Sequence, residues 1–229
     1  MVTATQAGSS ANCSSYPKRP LFFQGVLLTS ATASGLRLMI PSLVASMAGT
    51  ATGFLITWTR RLKWPCVLGA ALYVVGTISL ASMQRGWSTA AYLACLVPSA
   101  VGQGFQFPGS FMAVLAATEQ ADMAVVTSTL ILWRSLGMVL GVAGSSLVVQ
   151  NALFYYLEQF VQGADKDRVI ERVRESVEAI RALPAPYREQ VVSSYEAALR
   201  LTFVLCVVLA ILSLLLVLPL KLPRLGTRK

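Results

Sequence analysis

The sequence predicts an all-α integral membrane protein with five transmembrane helices and a remnant of a sixth. Of its 229 residues, 55% are hydrophobic and 13% are charged, and the mean hydropathy is +0.63. Soluble domains carry about 25% charged residues. Five stretches with almost no charge are long enough to cross the hydrocarbon of a bilayer, which takes roughly 20 helical residues. Because backbone polar groups in lipid must satisfy one another, we expect these stretches to be helical.

The composition excludes most enzyme chemistry and metal binding. The chain has no histidine, which excludes Ser–His and Cys–His catalysis and imidazole metal sites. Its four cysteines, Cys13, Cys66, Cys95 and Cys206, lie far apart and show no disulfide or zinc spacing. No catalytic pair of titratable groups lies within an apolar stretch. The sequence therefore predicts no enzyme, no cofactor and no metal.

The formal net charge of +9 is explained by residues that flank the apolar stretches. Basic residues cluster at Arg60, Arg61 and Lys63 and again in 221–229, which is typical of cytoplasmic flanks under the positive-inside rule. No basic face with interleaved aromatic residues occurs elsewhere. We therefore predict the lipid bilayer as the partner of this charge and exclude nucleic acid.

The elements follow from length and composition. Residues 1–20 are rich in Ser, Thr and Ala and lack the apolar core of a signal peptide, which predicts a disordered tail. Residues 21–28, LFFQGVLL, are apolar but too few to cross a bilayer, and we interpret them as the remnant of a preceding helix. The five predicted spans are 36–58, 65–83, 90–117, 124–154 and 201–220.

The basic clusters also predict the orientation of the spans. If Arg60, Arg61 and Lys63 are cytoplasmic, alternation of the spans makes the tail 221–229 cytoplasmic as well and the connector 155–200 extracytoplasmic. The first span then begins outside, although no signal sequence precedes it. We therefore expect that further helices precede this chain.

The connector 155–200 differs in composition from its surroundings, since it holds most of the acidic residues. Val169, Val173, Val177 and Ile180 recur at helical spacing, which predicts an amphipathic helix. Pro184 ends this helix, and a second helical piece is expected to lead into the last span. The amphipathic helix is either a lid at the membrane surface or a solvated connector with a packing stripe, and the second alternative is favoured.

The distribution of small residues predicts which spans are inner helices. Spans 36–58, 90–117 and 124–154 carry glycines at spacings that allow close helix approach, whereas span 201–220 has none. Pro108 predicts a kink or break in the third span. The candidate packing and kink residues are Gly49, Gly53, Gly102, Gly104, Pro108, Gly109, Gly137 and Gly141.

Few polar side chains lie at membrane depth. Arg134, beside Trp133, is the only charge well inside a predicted span. It either extends to the cytoplasmic interface or has a structural or gating role, with direct substrate contact the less favoured alternative. Gln103 and Gln106 either face a cavity or form interhelical hydrogen bonds. We expect these four residues to include the cavity or gating residues.

Three stretches carry a resemblance to a known family: LFFQGVLLTSATASGLRLMIPS, VGQGFQFPGSFMAVLAA and TSTLILWRSLGMVLGVAGSSLVVQN. They resemble the carboxy-terminal half of fungal major facilitator superfamily transporters, in the fourteen-helix drug:proton antiporter branch that includes vacuolar basic amino acid transporters. The resemblance covers about residues 21–220. It implies half of a helical bundle in which spans 36–58, 90–117 and 124–154 border the pore.

The resemblance implies a transporter of small organic or cationic compounds, in the plasma or vacuolar membrane. The predicted spans contain no Asp or Glu, so we expect the proton-coupling group to lie outside this chain. The amino-terminal half is absent, and we expect the chain to be a carboxy-terminal part or a truncated product that transports nothing alone. The alternative is a non-transporting interaction protein that pairs with a full-length relative or with a second copy.

Overall fold

The computed structural model of the chain describes residues 31–83, 86–161, 170, 173, 180 and 184–219. This part of the chain forms five long α-helices. They are α1 (Ala31–Thr59), α2 (Lys63–Ala81), α3 (Thr89–Ala116), α4 (Met123–Phe160) and α5 (Ala185–Val217). The predicted tail 1–20, remnant helix 21–28 and basic tail 221–229 lie outside the described residues.

Four of the five described helices are long and apolar enough to cross a membrane. They are α1, α2, α4 and α5, which makes the chain a multi-pass membrane protein. The exception is α3, which has 28 residues and no charge but is rich in Gly, Gln, Ser and Pro. These residues lower its mean hydropathy. Length and composition therefore support four of the predicted spans. The predicted span 90–117, which corresponds to α3, does not receive this support.

The helix ends differ from the predicted span boundaries. Helix α4 continues beyond the predicted limit of 154 to Phe160. Helix α5 begins at Ala185 and runs without interruption to Val217, so the last span continues a helix that starts in the predicted connector. Pro184 immediately precedes the first turn of α5. A proline is tolerated at the start of a helix because the first N–H groups have no acceptor within the helix. Helix α3 is continuous through Pro108, so no break occurs there.

Helix α3 joins α1 to α2 in the helix packing. It packs extensively on both α1 and α2, whereas α1 and α2 make few contacts with each other. Helix α2 also packs on α5, and α5 packs on α4. The neighbours therefore follow the order α1, α3, α2, α5, α4, and α4 makes only a few contacts with α3.

Glycines set the distance between α2 and α3. A Cβ atom on Gly76 would lie 2.2 Å from the backbone nitrogen of Ser99, and one on Gly102 would lie 2.5 Å from the backbone nitrogen of Tyr73. A Cβ on Gly69 would lie 2.8 Å from the backbone nitrogen of Gln106. The obstacles are backbone atoms, which cannot move aside as a flexible side chain can. The two helices therefore approach more closely than any other residue type would allow.

A second close approach joins α3 to α1. A Cβ on Gly104 would lie 2.5 Å from the carbonyl oxygen of Ala45 and 2.6 Å from the Cβ of Ala48. Gly49 faces the same crossing, since its Cβ would lie 3.7 Å from the Gly104 carbonyl oxygen. Gly53 would meet nothing within 4 Å. Of the Gly49 and Gly53 pair, only Gly49 therefore lies at a described helix contact.

The crossing of α1 and α3 also satisfies a backbone group that proline leaves without its usual donor. Pro108 has no N–H, so it cannot donate to the carbonyl of Gly104, four residues earlier. The buried hydroxyl of Thr52 lies 2.6 Å from the carbonyl oxygen of Ala48 and 3.4 Å from that of Gly104, so its single proton is shared between the two acceptors. Helix α1 thus offers a hydrogen bond that helix α3 cannot make internally.

One end of the bundle holds the largest buried cluster of the described residues. Side chains from the end of α2, the start of α3, the end of α4 and the start of α5 meet there, including Leu96, Leu157 and Leu199. Val173 and Ile180, from the predicted amphipathic stripe, are also buried in it, while Val169 and Val177 lie outside the described residues. The hydroxyl of Tyr195 donates to the carbonyl of Val173 over 3.4 Å.

The opposite end carries the predicted cytoplasmic cluster of basic residues. Arg60, Arg61 and Lys63 are exposed where α1 turns into α2, and Arg60 adopts a left-handed φ of 51° that ends α1. Between them Leu62 is buried against residues of α1, α2 and α3. The turn is therefore fixed by one apolar side chain while its charges remain at the surface.

We predict that Gly76→Ala destabilises the chain by about 1–3 kcal/mol, because the added methyl group overlaps the backbone of Ser99. The measurement is thermal unfolding of the purified chain in detergent. Gly144→Ala is the matched control, since Gly144 lies within α4 and its Cβ would meet nothing within 4 Å. Equal unfolding temperatures for the two variants would contradict the close approach of α2 and α3.

We predict that Thr52→Val lowers the unfolding free energy by about 1 kcal/mol, because the Gly104 carbonyl then loses its interhelical donor. In a Pro108→Ala background, the restored N–H of residue 108 can donate to this carbonyl, and the same valine substitution should have little effect. The double-mutant cycle is measured by denaturation in detergent. Additive effects of the two substitutions would show that the Thr52 hydroxyl does not compensate for Pro108.

Candidate functional site

An open cleft of about 600 Å³ lies between α1, α3 and α4. These are the three helices that the glycine distribution predicted to be inner helices and that the resemblance placed at a pore. The lining residues are Ser42, Ala45, Ser46, Gly49, Thr50, Gln103, Gly104, Phe107, Pro108 and Arg134. The close crossing at Gly104 brings α1 against α3 and so forms the floor of this cleft.

The α1 wall presents a row of three hydroxyl groups. Ser42, Ser46 and Thr50 are four residues apart, so they lie on one face of the helix. Each hydroxyl donates to the carbonyl four residues earlier, over 3.0 to 3.1 Å. A hydroxyl has one proton to donate and two lone pairs. With their protons directed to the backbone, these oxygens can act as acceptors for a bound molecule.

The opposite side of the cleft carries one cation. The Arg134 Cζ lies 3.8 Å from the ring centroid of Phe107, so the guanidinium of α4 stacks on an aromatic ring of α3. Cation–π contacts of this kind are stronger when they are desolvated, and Arg134 is half-buried. The contact links α3 and α4, which otherwise pack on each other only slightly. Trp133 is exposed and is not part of the cleft lining.

The two glutamines occupy different positions. Gln103 lines the cleft. Gln106 Nε2 donates to the hydroxyl of Ser213 over 3.3 Å, and so links α3 to α5. A side-chain amide has two donors and one acceptor, so Gln103 can match either kind of group on a ligand. One glutamine therefore faces the cavity, and the other forms an interhelical hydrogen bond.

The cleft lies near the middle of α1 and α3. Arg134 is eleven residues from the start of α4, which corresponds to about 16 Å along the helix axis. Half of a hydrocarbon layer is about 15 Å. Gln103 and Gly104 lie at the middle of α3, and Ser46 lies at the middle of α1. A charge at this depth is a functional candidate, because an arginine in lipid is costly unless it faces a cavity or a partner.

The lining has a net positive charge. It includes Arg134 but no Asp, Glu or Lys. Among the residues that the structure describes, no group of three or more His, Cys, Asp or Glu side chains could hold a metal ion. The chemistry available in the cleft is therefore that of one guanidinium, one amide, three hydroxyl oxygens and an aromatic ring.

The remaining candidate residues lie outside the cleft. Gly137 and Gly141 are buried on α4. Gly109 faces α2, where its Cβ would lie 3.2 Å from the Sγ of Cys66. Gly102 lies at the α2 crossing, and Arg60, Arg61 and Lys63 are at the α1–α2 turn. Gly102 and Gly109 therefore lie at the contact with α2, and none of these four glycines lines the cleft.

The sequence analysis missed Phe107 and the hydroxyl row. The spacing of Ser42, Ser46 and Thr50 is a signal that could have identified one polar face on α1. No comparable signal identifies Phe107, because a phenylalanine in an apolar helix most often packs in a core. Its role depends on a residue of another helix, Arg134, which lies distant in the sequence.

Comparison with known proteins gives a consistent set of relatives, although no protein-family model matches. The chain is 35% identical over 187 residues to an uncharacterized transporter of Schizosaccharomyces pombe, a match that covers 79% of this chain and 33% of that protein. It is 30% identical over 204 residues to vacuolar basic amino acid transporter 2 of Saccharomyces cerevisiae, covering 86% and 42%. Multidrug resistance protein fnx1 of Schizosaccharomyces pombe is 27% identical over 195 residues, covering 83% and 37%.

The chain thus spans between a third and about two fifths of the length of these relatives. A further relative, from a Phoma species, is named as an MFS transporter and is 28% identical over 197 residues. Transporters recur among the matches, which together cover most of this chain. The predicted resemblance is therefore confirmed, and the chain is a relative of the fungal major facilitator superfamily transporters.

Proposed function

We propose that the chain forms one half of a small-molecule transporter of the major facilitator type, and that its cleft is part of the cargo pathway. The observation that carries this proposal is the polar cleft between α1, α3 and α4, which lies at the middle of α1 and α3 and has Arg134 and Gln103 in its wall. Sites at this depth, formed between the halves of a transporter, suit a mechanism in which the halves rock about bound cargo.

The proposal includes α3 as a fifth crossing helix. Its 28 residues correspond to about 42 Å of helix, which exceeds a hydrocarbon thickness of about 30 Å. Its glycines and glutamines face α1, α2, α5 and the cleft, so they do not require an apolar surround. A helix of this composition can therefore cross the membrane within the bundle.

Orientation and partners follow from exposed surfaces. The basic turn at Arg60, Arg61 and Lys63 lies on the cytoplasmic side under the positive-inside rule. The cleft is open, and α1 and α4 carry many exposed apolar side chains, among them Met47, Phe54 and Leu132. Lipid covers part of this surface, and a second half-bundle, from a longer form of the chain or from a second copy, covers the cleft.

The relatives suggest the kind of cargo. One is named for vacuolar transport of basic amino acids and another for multidrug resistance, so the cargo is a small organic compound and the membrane is vacuolar or plasma. No acidic side chain lines the cleft, so proton coupling in the whole transporter uses a group elsewhere. No observation favours the alternative of a non-transporting interaction protein.

We predict that the 229-residue chain in lipid nanodiscs binds cargo of this kind in the cleft. The measurement is saturable binding of radiolabelled L-lysine and of a cationic dye such as ethidium. Ser46→Phe should lower the affinity of whichever compound binds by at least tenfold, because a bulky ring then fills the cleft beside Gly49. Ala51→Phe is the matched control, since Ala51 is also an exposed position of α1 but does not line the cleft.

The same chain in sealed vesicles should bind cargo without net uptake, because half a bundle cannot expose one site to both sides in turn. Binding that is insensitive to Ser46→Phe, or no saturable binding of either compound, would contradict a cargo role for the cleft. Cargo-dependent uptake by the chain as a monomer would contradict its assignment as half of a transporter.

A further inference from the structure

We propose that the α1–α2 turn binds the headgroup of one anionic phospholipid, with the phosphate at Arg60, Arg61 and Lys63 and the glycerol region beside Trp58 and Trp64. This inference goes beyond the proposed function, because the turn lies at one end of the bundle and is not part of the cargo cleft. It follows from three basic side chains and two tryptophans that are all exposed on one short turn.

The turn concentrates positive charge that its own helices do not neutralise. Its three basic side chains are exposed within four consecutive residues. Residues 31–118, which include α1, α2 and α3, contain no Asp or Glu. The structure shows no ion pair between the basic side chains of the turn and Glu119 or Asp122, the acidic residues that follow α3. A partner of opposite charge therefore comes from outside these helices, and the phosphates of the bilayer are adjacent.

The turn is held in one conformation, so its charges are arranged before a ligand binds. Leu62 is 1% exposed and belongs to a buried cluster with Ile56, Cys66 and Ala113. Arg60 adopts its left-handed φ of 51°, and its N–H donates to the carbonyl of Ile56 over 2.9 Å. A segment that is already ordered loses less conformational entropy on binding than a mobile one does. The fixed backbone thus favours one defined lipid position.

The two tryptophans lie on either side of the turn and mark its depth in the membrane. Trp58 is 86% exposed and is the second-to-last residue of α1, and Trp64 is 59% exposed and is the second residue of α2. Tryptophan is enriched at the membrane–water interface, where its ring lies at the level of the headgroups. The basic residues lie between the two rings in the chain, so we infer that they reach the lipid phosphates.

A defined site differs from the general attraction between basic segments and anionic membranes. General attraction depends on the number of charges near the surface and falls off within a Debye length. The tail 221–229 carries four basic residues and follows α5, whose Val217 packs against the Leu62 cluster at the same end of the bundle. Under general attraction, charges in the tail and in the turn would contribute alike. A site on the turn requires the charges of the turn alone.

The test uses the tryptophans of the turn as reporters in lipid nanodiscs. The chain has four tryptophans, so in a Trp87→Phe, Trp133→Phe chain the emission comes from Trp58 and Trp64. The bilayer is phosphatidylcholine with a small fraction of brominated lipid, either phosphatidylglycerol or phosphatidylcholine, and quenching reports how often the brominated lipid contacts the turn. We expect at least tenfold preference for phosphatidylglycerol, saturating at one lipid, because each basic residue contributes about fivefold.

The charge variant of the turn combines Arg60→Gln, Arg61→Gln and Lys63→Gln. It should reduce the preference for phosphatidylglycerol to less than about twofold, because the phosphate then has no cation at the turn. The exposed side chains make no contact that the fold needs, while the buried Leu62 is retained.

The matched control combines Arg224→Gln, Arg228→Gln and Lys229→Gln, which removes the same charge from the tail. It should retain the tenfold preference. A chain with Trp87 as its sole tryptophan is a second control, since Trp87 contacts Tyr92 of the cluster at the opposite end of the bundle. Its quenching should be equal with the two brominated lipids.

The outcomes decide between a lipid site and its alternatives. A preference that the turn variant loses and the tail variant keeps supports the site. Equal loss in both variants, or no preference in the native turn, overturns it. Displacement of the brominated phosphatidylglycerol by soluble glycerol 3-phosphate would indicate a site for free phosphate and would also overturn the lipid assignment. If the turn variant does not purify as a folded chain, Arg61→Gln alone decides: a reduction of about fivefold supports the site, and an unchanged preference overturns it.

Discussion

The close approach of α3 to its two neighbours is the constraint on which the rest of the structure depends. Gly102 and Gly104 bring the α3 backbone against α2 and α1, where any side chain would overlap backbone atoms. The contact buries the glycines of a helix that is rich in Gln, Ser and Pro against its neighbours. It also places the α1 hydroxyl groups and Gln103 around one cleft. The crossings of α3 with α1 and α2 therefore determine both the packing of these helices and the position of the cleft.

This arrangement explains how Arg134 is tolerated within the bundle. A guanidinium at the middle of a bilayer is unfavourable when it faces lipid, and it is tolerated when a cavity and a polarisable partner surround it. Phe107 supplies that partner from α3, and the cleft supplies space. Because α3 and α4 share few other contacts, the cation–π pair is also the main described link across the cleft.

The sequence alone predicted well which stretches are helical, but it predicted poorly which face of each helix contacts a neighbour. Long apolar stretches reveal four of the spans directly, whereas α3, with its Gly, Gln and Pro residues, is left unassigned by length and composition. Glycine spacing predicted that α1, α3 and α4 are inner helices, yet it treated Gly49 and Gly53 alike, although only Gly49 meets another helix within 4 Å. The pairing of Arg134 with Phe107, and of Thr52 with the carbonyl left by Pro108, joins residues distant in sequence. Such pairs depend on which face of each helix points toward its neighbour. In an almost uniformly apolar sequence, that face can be predicted only where hydroxyl or charged residues identify it.

The most direct test of the account is whether α3 crosses the membrane. Single cysteines are introduced at Ser88, Ala100 and Gln120 in a chain whose four native cysteines are replaced by alanine, and sealed vesicles are treated with a membrane-impermeant maleimide. Ser88 and Gln120 flank the two ends of α3 and are exposed, whereas Ala100 is buried near its middle. The account predicts that positions 88 and 120 react from opposite sides of the membrane and that position 100 does not react. Labelling of 88 and 120 from the same side, or labelling of 100 from water, would contradict it.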